Sequence, residues 1–309
     1  MNVMDVATSA IVPVVALLAM GFVLRHRFLT EPALWSGLEK ISYYLFTPAL
    51  FVTSISTTDL SAVRAGPLVL SLTAPLALTT GILLLLRRPL RASGPDITSV
   101  VQGAIRINTY VGLILMGSLY STEGVAVFAL ACAVVVPTVN LLCVGALTAF
   151  GEPERPGEQR PSMLRSLATN PYLLACLLGL ALKLGGIAIP DLLFNPLKLL
   201  AQPAMVVGTL VSGAALSLRI SARDTAHIAV ASVFKLALVP VAGTWIATSM
   251  GVTGTALAAI VVILSIPTAT SATILSSIMG GNTRLMASIT AAQTVLSVFT
   301  LPVALAVLL

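Results

Sequence analysis

Long apolar runs constrain the fold of this 309-residue chain more than any other feature. Ten of them recur along the sequence, at residues 7–24, 39–57, 67–86, 98–118, 123–150, 167–184, 196–217, 225–249, 255–277 and 285–308. A helix needs about 20 mostly apolar residues to cross a bilayer, so the runs suit ten crossings. The sequence therefore predicts an all-α polytopic membrane protein with ten transmembrane helices and no strands.

Charge is too scarce for a water-soluble fold. Asp, Glu, Lys and Arg make up 9% of the chain, against about 25% in soluble globular domains. The high hydrophobicity also excludes disorder. The net charge of +6 does not indicate nucleic acid, because the basic residues cluster in short loops between apolar runs. The first run lacks a basic n-region and a cleavage site, so we expect a retained first span rather than a signal peptide.

A polar stretch divides the chain into two halves. Residues 151–166 are rich in Pro, Gly and mixed charges, and predict a linker between a five-helix repeat at 1–150 and a second at 167–309. Because five is odd, the second half enters the membrane with inverted topology, a common plan among secondary transporters. Loops on one side hold twelve Lys and Arg residues, and loops on the other hold three. The positive-inside rule therefore predicts a cytoplasmic linker and extracytoplasmic termini.

Two spans carry polar or helix-breaking residues at membrane depth. Span 4 contains Arg106 and Asn108, and span 9 contains Pro267 among five hydroxyl residues. Polar groups at this depth are costly, and proline interrupts helical hydrogen bonding. Spans 4 and 9 occupy corresponding places in the two halves, so broken helices there predict a midplane site where half-helix N-termini face an anion. The alternative is that Pro267 only kinks its helix.

The sign of the buried charges favours an anionic substrate. Arg106 and Lys235 are the charged residues placed within spans, and no span has a central Asp or Glu. Cation and proton sites usually display intramembrane carboxylates. Structural roles stay open, since Lys235 would also suit the cytoplasmic interface and Arg106 a helix C-terminus. Asn140, Lys235 and Gln293 are candidates to line the same cavity, and the alternative for the two amides is that they simply join helices.

Catalytic constellations are missing from the sequence. It has no His or Cys pair at metal spacing, no phosphate-binding glycine loop and no central carboxylate pair. The three cysteines are scattered among apolar runs and read as core residues. We therefore expect no enzyme, no cofactor and no metal, which leaves a gradient-driven carrier, a channel or a receptor.

A series of short motifs resembles the auxin efflux carrier family. The motifs lie in order along nearly the whole chain: Tyr43-Tyr44-Leu45-Phe46-Thr47-Pro48-Ala49-Leu50-Phe51, Asn108-Thr109-Tyr110-Val111-Gly112-Leu113, Asn170-Pro171-Tyr172-Leu173-Leu174-Ala175, Gly213-Ala214-Ala215-Leu216-Ser217 and Lys235-Leu236-Ala237-Leu238-Val239-Pro240. The resemblance implies two inverted five-helix repeats with broken, crossing helices 4 and 9. It implies a scaffold of spans 1, 2, 6 and 7 and a mobile transport domain of spans 3–5 and 8–10, which work as an elevator.

The resemblance also implies a substrate and site residues. Family substrates are organic anions, so Asn108 would contact a carboxylate and Pro267 would mark the second crossing. Plant members have a proline where this chain has Ile107, which argues against a plant-like auxin site. The short linker is similar to that of bacterial members. A homodimer through the scaffold, a plasma-membrane location and coupling to H⁺ or Na⁺ are further expectations, with the ion left open.

The leading hypothesis is a secondary carrier for a small carboxylate or other organic anion. Its substrate-binding residues are predicted to be Arg106, Asn108, Thr109, Tyr110, Pro267, Thr268, Thr270 and Ser271. The first alternative is a sodium-coupled organic anion symporter of the bile acid transporter type, which has the same ten-span plan. An anion channel and a non-transporting receptor are further alternatives.

Overall fold

The computed structural model describes residues 3–61, 63–152, 168–216 and 224–309. Within these ranges the chain is built of helices, with no strand. The α-helices are α1 (Val3–Val23), α2 (Pro32–Ile41), α3 (Thr47–Thr57), α4 (Ala65–Leu85), α5 (Gly94–Ile105), α6 (Thr109–Phe150), α7 (Pro171–Leu184), α8 (Asp191–Ala201), α9 (Ala204–Ala214), α10 (Thr225–Val233), α11 (Val239–Ser249), α12 (Gly254–Ser265), α13 (Ser271–Met279) and α14 (Thr283–Leu308). The predicted all-helical class is confirmed.

Short π-helical segments join or extend several of these helices. Leu24–Phe28 extends α1, Ser42–Phe46 joins α2 to α3, and Phe234–Leu238 joins α10 to α11. Such π-segments are rare and often lie at functional sites. Two of them, Ser42–Phe46 and Phe234–Leu238, join pairs of helices of 9–11 residues into elements long enough to cross a bilayer.

Within the described residues, six segments are long and apolar enough to cross a membrane: Ile11–Phe28, Ala65–Leu85, Gly94–Phe150, Asp191–Ala214, Thr225–Ser249 and Thr283–Leu308. Two shorter apolar helices, Pro171–Leu184 and Gly254–Ser265, accompany them. The segment at 94–150 spans 57 residues and covers two predicted runs. Its chain leaves helical geometry at Tyr120 and Ser121, where Ser121 has a positive φ of 52°. This kink lies between the predicted spans at 98–118 and 123–150.

Small residues set the closest helix contacts. Gly21 of α1 and Gly213 of α9 each lie so near the opposite backbone that an added Cβ would collide with it, at Leu210 and Leu18 respectively. Small residues at membrane helix interfaces allow such close approach. The α3 helix packs on α7 and α8, while α4 packs on α11 and α6 on α12. The elements proposed as scaffold and as transport domain thus each have extensive internal packing.

Part of the predicted organisation lies outside the described residues. Most of the predicted linker at 151–166 belongs to this part, as do five of the twelve basic residues used for orientation: Arg155, Arg160, Arg165, Arg219 and Arg223. The final residue of one family motif, Ser217, lies outside as well.

Candidate functional site

Two interrupted helices meet near the middle of the chain's helical bundle. The first interruption follows α5, which ends at Ile105 because Arg106 adopts extended backbone geometry (φ −71°, ψ 158°). The second follows α12, where Ile266 is extended (φ −66°, ψ 148°). The ring of Pro267 disfavours helical geometry at the residue before it, which explains this second end. The Asn108 N–H donates to the Pro267 carbonyl at 2.9 Å, so the two breaks are bonded directly to each other.

Gln293 of α14 braces the crossing from behind. Its Oε1 accepts from the Thr268 N–H at 3.1 Å, and its Nε2 donates to the Gly103 carbonyl at 2.9 Å. Gln293 and Thr268 are both fully buried. The side chain therefore satisfies one backbone group from each broken helix, a requirement inside a membrane protein.

A cavity of about 540 Å³ lies beside the crossing. The predicted site residues in its wall are Arg106, Asn108, Thr109, Tyr110, Asn140, Thr270 and Ser271. Further wall residues that sequence reasoning did not assign to the site are Glu39, Lys40, Tyr43, Tyr44, Asn170, Tyr172 and Ser212. Pockets for small ligands usually measure about 300–1,000 Å³, so the volume suits a small molecule.

Arg106 brings a full positive charge to the cavity wall. It is partly buried, and its Nη1 donates to Asn140 Oδ1 at 3.3 Å. The ion pair found among the described residues joins Arg284 to Asp224 at 2.6 Å. Arg106 therefore has no carboxylate partner in that part of the chain. A guanidinium carries five N–H donors in a planar fork that matches a carboxylate. The bond to Asn140 orients the group and leaves donors for a ligand.

Helix N-termini add partial positive charge to the same wall. The α6 helix begins at Thr109 and α13 at Ser271, and both residues line the cavity. Unpaired N–H groups and the helix dipole make such termini favourable for anions. Asn108 caps α6 with its Oδ1, which accepts from the Val111 N–H at 3.5 Å and from Ser212 Oγ at 3.4 Å. Because the oxygen is used within the protein, the amide N–H groups remain as donors.

Tyrosine side chains form another part of the wall. The Tyr172 hydroxyl donates to the Tyr110 hydroxyl at 3.0 Å, and the ring of Tyr43 lies 4.8 Å from that of Tyr172. Gly208 of α9 makes room for this arrangement, because an added Cβ there would collide with the Tyr110 ring. The tyrosines give the cavity apolar surface with polar tips, which suits the organic part of a small ligand.

The remaining predicted residues lie at the crossing or behind it. Pro267 and Thr268 are buried in the second break, and the Thr268 Oγ1 has no hydrogen-bond partner among the described residues. Lys235 is fully buried in the π-segment Phe234–Leu238, outside the cavity wall. The described residues contain no group of three or more His, Cys, Asp or Glu side chains that could hold a metal ion.

The sequence gives only indirect indications of the wall residues that were not predicted. Asn170 and Tyr172 lie in one of the motifs that carry the family resemblance, and Tyr43 lies in another. Ser212 is one small hydroxyl residue in an apolar run, a pattern that by itself does not distinguish a cavity residue from a packing residue.

Comparison with known families agrees with this architecture. A family profile described as membrane transport protein matches residues 6–305, nearly the whole chain. No curated protein matches the sequence significantly. The resemblance to auxin efflux carriers drawn from the short motifs is confirmed. The apolar helices and the family match together show a multi-pass membrane transporter. The chain therefore belongs to the membrane transport protein family, which includes the auxin efflux carriers.

Proposed function

We propose that the protein is a secondary transporter for a small carboxylate or similar organic anion, and that the cavity beside the crossing is its binding site. The observation that carries the proposal is the convergence of Arg106 and two half-helix N-termini on one cavity. The charges of Glu39 and Lys40 cancel each other, so Arg106 gives the cavity wall a net positive charge. Such a wall favours an anion over a cation.

The bound carboxylate would use donors from both broken helices. The Arg106 fork and the Asn108 amide supply side-chain N–H groups, and Thr109, Thr270 and Ser271 supply hydroxyl groups beside the helix N-termini. The tyrosine rings would flank the carbon skeleton. This arrangement selects for one negative group attached to a compact organic body, and it supports a carrier rather than a sodium-binding site.

The composition of the wall supports an elevator mechanism. Tyr43, Tyr172 and Ser212 belong to the proposed scaffold (α1–α3 and α7–α9), while Arg106 and Thr270 belong to the proposed transport domain (α4–α6 and α10–α14). A site between two such bodies changes its access when one slides past the other. The matching breaks in spans 4 and 9 support the two inverted five-helix repeats.

Orientation and assembly complete the proposal. The cavity reaches Glu39 and Lys40 on α2, at the end of the protein that the positive-inside rule places in the cytoplasm. The arrangement is therefore that of an inward-open carrier in the plasma membrane, with extracytoplasmic termini. We further propose a homodimer through the scaffold helices.

Transport into proteoliposomes tests the proposal. Radiolabelled pyruvate, lactate, malonate and succinate serve as probes, and we expect saturable uptake of at least one of them. The variant Arg106→Gln should lose most of this uptake, because the guanidinium fork is gone. Arg88→Gln removes an exposed arginine and should transport normally.

Three outcomes would contradict the proposal in different ways. Unchanged carboxylate uptake by Arg106→Gln would show that the substrate does not bind in this cavity. Strict dependence on external sodium, shown by replacing it with potassium, would favour a sodium-coupled symporter. Flux that stays linear far above millimolar concentration would favour a channel.

A further inference from the structure

Lys235 is a buried amine that the proposed binding site does not use. Its side chain is fully buried, and its Nζ has no hydrogen-bond partner among the described residues. It lies in the π-segment Phe234–Leu238 between α10 and α11. A buried ammonium group without a counter-ion is costly, and such a group tends to give up its proton instead.

The contacts of three parallel helices place Lys235 level with the first break. At Gly103 of α5, an added Cβ would touch both Ile289 of α14 and Ala231 of α10. Two turns earlier, Asp96 of α5 accepts from Asn282, the residue that caps α14. The helices α5 and α14 therefore run in the same direction from a common level.

One further turn along each helix leads to the crossing. Residue 107 follows Gly103 by four positions, Gln293 follows Ile289 by four, and Lys235 follows Ala231 by four. Gln293 does bond both breaks, which supports this alignment. Because Lys235 follows Ala231 by about one turn and α5 ends two residues after Gly103, Lys235 lies near the depth of the broken backbone.

Lys235 packs on the side of the crossing that favours a cation. The π-segment contacts α5 and α12, the two half-helices whose C-terminal ends meet at the breaks. Helix C-termini carry partial negative charge. Buried oxygens on α5, α10 and α12 also lack partners among the described residues, namely Gln102 Oε1, Ser232 Oγ and Ser265 Oγ. The cavity lies instead at the N-terminal ends of α6 and α13, where an anion is favoured.

No described charged side chain neutralises Lys235 at its own depth. The ionisable groups on or beside the helices packed against its segment are Asp96 and Arg106 on α5, Asp224 and His227 at the start of α10, and Arg284 at the start of α14. Asp96 is engaged by Asn282, Asp224 pairs with Arg284, and Arg106 lines the cavity. His227 lies eight residues before Lys235, or about 12 Å along a regular helix. The described helices α11 and α12 contain no ionisable side chain.

We propose that Lys235 is a proton-binding site coupled to the anion site across the crossing. The inference rests on the proposed carboxylate transport. In this proposal the Nζ holds its proton only while a carboxylate is bound. When a carboxylate binds, its negative charge favours the ammonium form, so the amine takes one proton from water and releases it when the carboxylate leaves. Linkage is reciprocal, so protonation of Lys235 strengthens carboxylate binding by the same factor.

Calorimetry of the purified full-length protein tests the coupling. Pyruvate, lactate, malonate and succinate are titrated at pH 7.5 in phosphate and in Tris, whose different ionisation enthalpies report the protons exchanged on binding. We expect the wild type to take up about one proton per carboxylate. Lys235→Met should bind more weakly with no proton uptake. Lys235→Arg keeps a permanent positive charge, so it should bind carboxylate without taking up a proton. This variant tests the proposal even if Lys235→Met does not fold.

The control is Lys198→Met, which removes an exposed lysine and should behave as the wild type does. The proton site is overturned if the wild type takes up no proton on binding, or if Lys235→Arg takes up as many protons as the wild type. Neither result contradicts the proposed carboxylate transport. Failure of the wild type both to bind and to transport every carboxylate tested overturns the proposed function and the proton site together. In proteoliposomes, an inward-directed proton gradient should accelerate uptake by the wild type and leave Lys235→Arg unaffected.

Discussion

Removal of the Gln293 brace should destabilise the crossing more than its single side chain suggests. The variant Gln293→Met keeps the length of the side chain and removes both hydrogen bonds. The Thr268 N–H and the Gly103 carbonyl then lose the partners that the structure gives them. The carbonyl of Gly103 would ordinarily bond to the N–H four residues on, but α5 ends before that residue.

The magnitude follows from these two orphaned groups. A buried polar group left without a partner costs about 1–3 kcal/mol, so two cost about 2–6 kcal/mol. Side-chain hydrogen bonds in membrane proteins average only about 0.6 kcal/mol where other partners are at hand. Both groups here belong to interrupted backbone in a fully buried place, so the larger range applies. At about 2 °C per kcal/mol, the Tm should fall by about 4–12 °C.

Thermal unfolding of the purified protein in detergent measures this loss. The matched control is Thr294→Val, one residue away on the same helix, whose hydroxyl only back-bonds to the Thr290 carbonyl at 2.8 Å. We expect this control to change Tm by less than about 2 °C, since its backbone partner stays within the helix. Equal Tm values for Gln293→Met and Thr294→Val would refute the role of Gln293 as a brace.

Three further changes separate stability from transport. Asn108→Asp keeps a good helix cap, so Tm should hold, but a second negative charge should abolish carboxylate uptake; normal uptake would remove Asn108 from the site. Gly208→Ala forces the Tyr110 ring aside, so the KM for carboxylate uptake should rise and the free energy of unfolding should fall by about 1–3 kcal/mol. An unchanged KM would show that the ring does not shape the cavity. Asp224→Asn breaks the ion pair with Arg284, whose side chain is 58% exposed. Thermal unfolding should therefore show a loss in Tm of less than about 2 °C. A larger loss would show that the pair stabilises the fold.

Sequence reasoning predicts the breaks well because their cause is local. Arg106, Asn108 and Pro267 are polar or helix-breaking groups at membrane depth, and both interruptions occur beside them. Local chemistry also predicts the all-helical class, since only helices and closed barrels satisfy backbone groups in lipid.

The rest of the site depends on contacts that are distant along the chain. Gln293 bonds Gly103 across 190 residues, and Ser212 bonds Asn108 across 104. Neither partner can be identified from its own neighbourhood, because amides and hydroxyls in apolar runs often serve only to join helices. Lys235 shows the same difficulty, since a span that begins at Thr225 is equally consistent with an interfacial and a buried lysine.

The hydrogen bonds between the two proposed bodies bear on how easily they can slide. Side-chain bonds that join them among the described residues include Tyr172 to Tyr110, Ser212 to Asn108, and the Cys176 thiol to the Ala129 carbonyl at 3.2 Å. All three are neutral, and a neutral bond contributes only about 0.5–1.5 kcal/mol net. Hydroxyl and thiol groups can rotate to new partners as the surfaces shift. Such a boundary resists separation but allows exchange of partners, so the sliding that we propose would break no ion pair among the described residues.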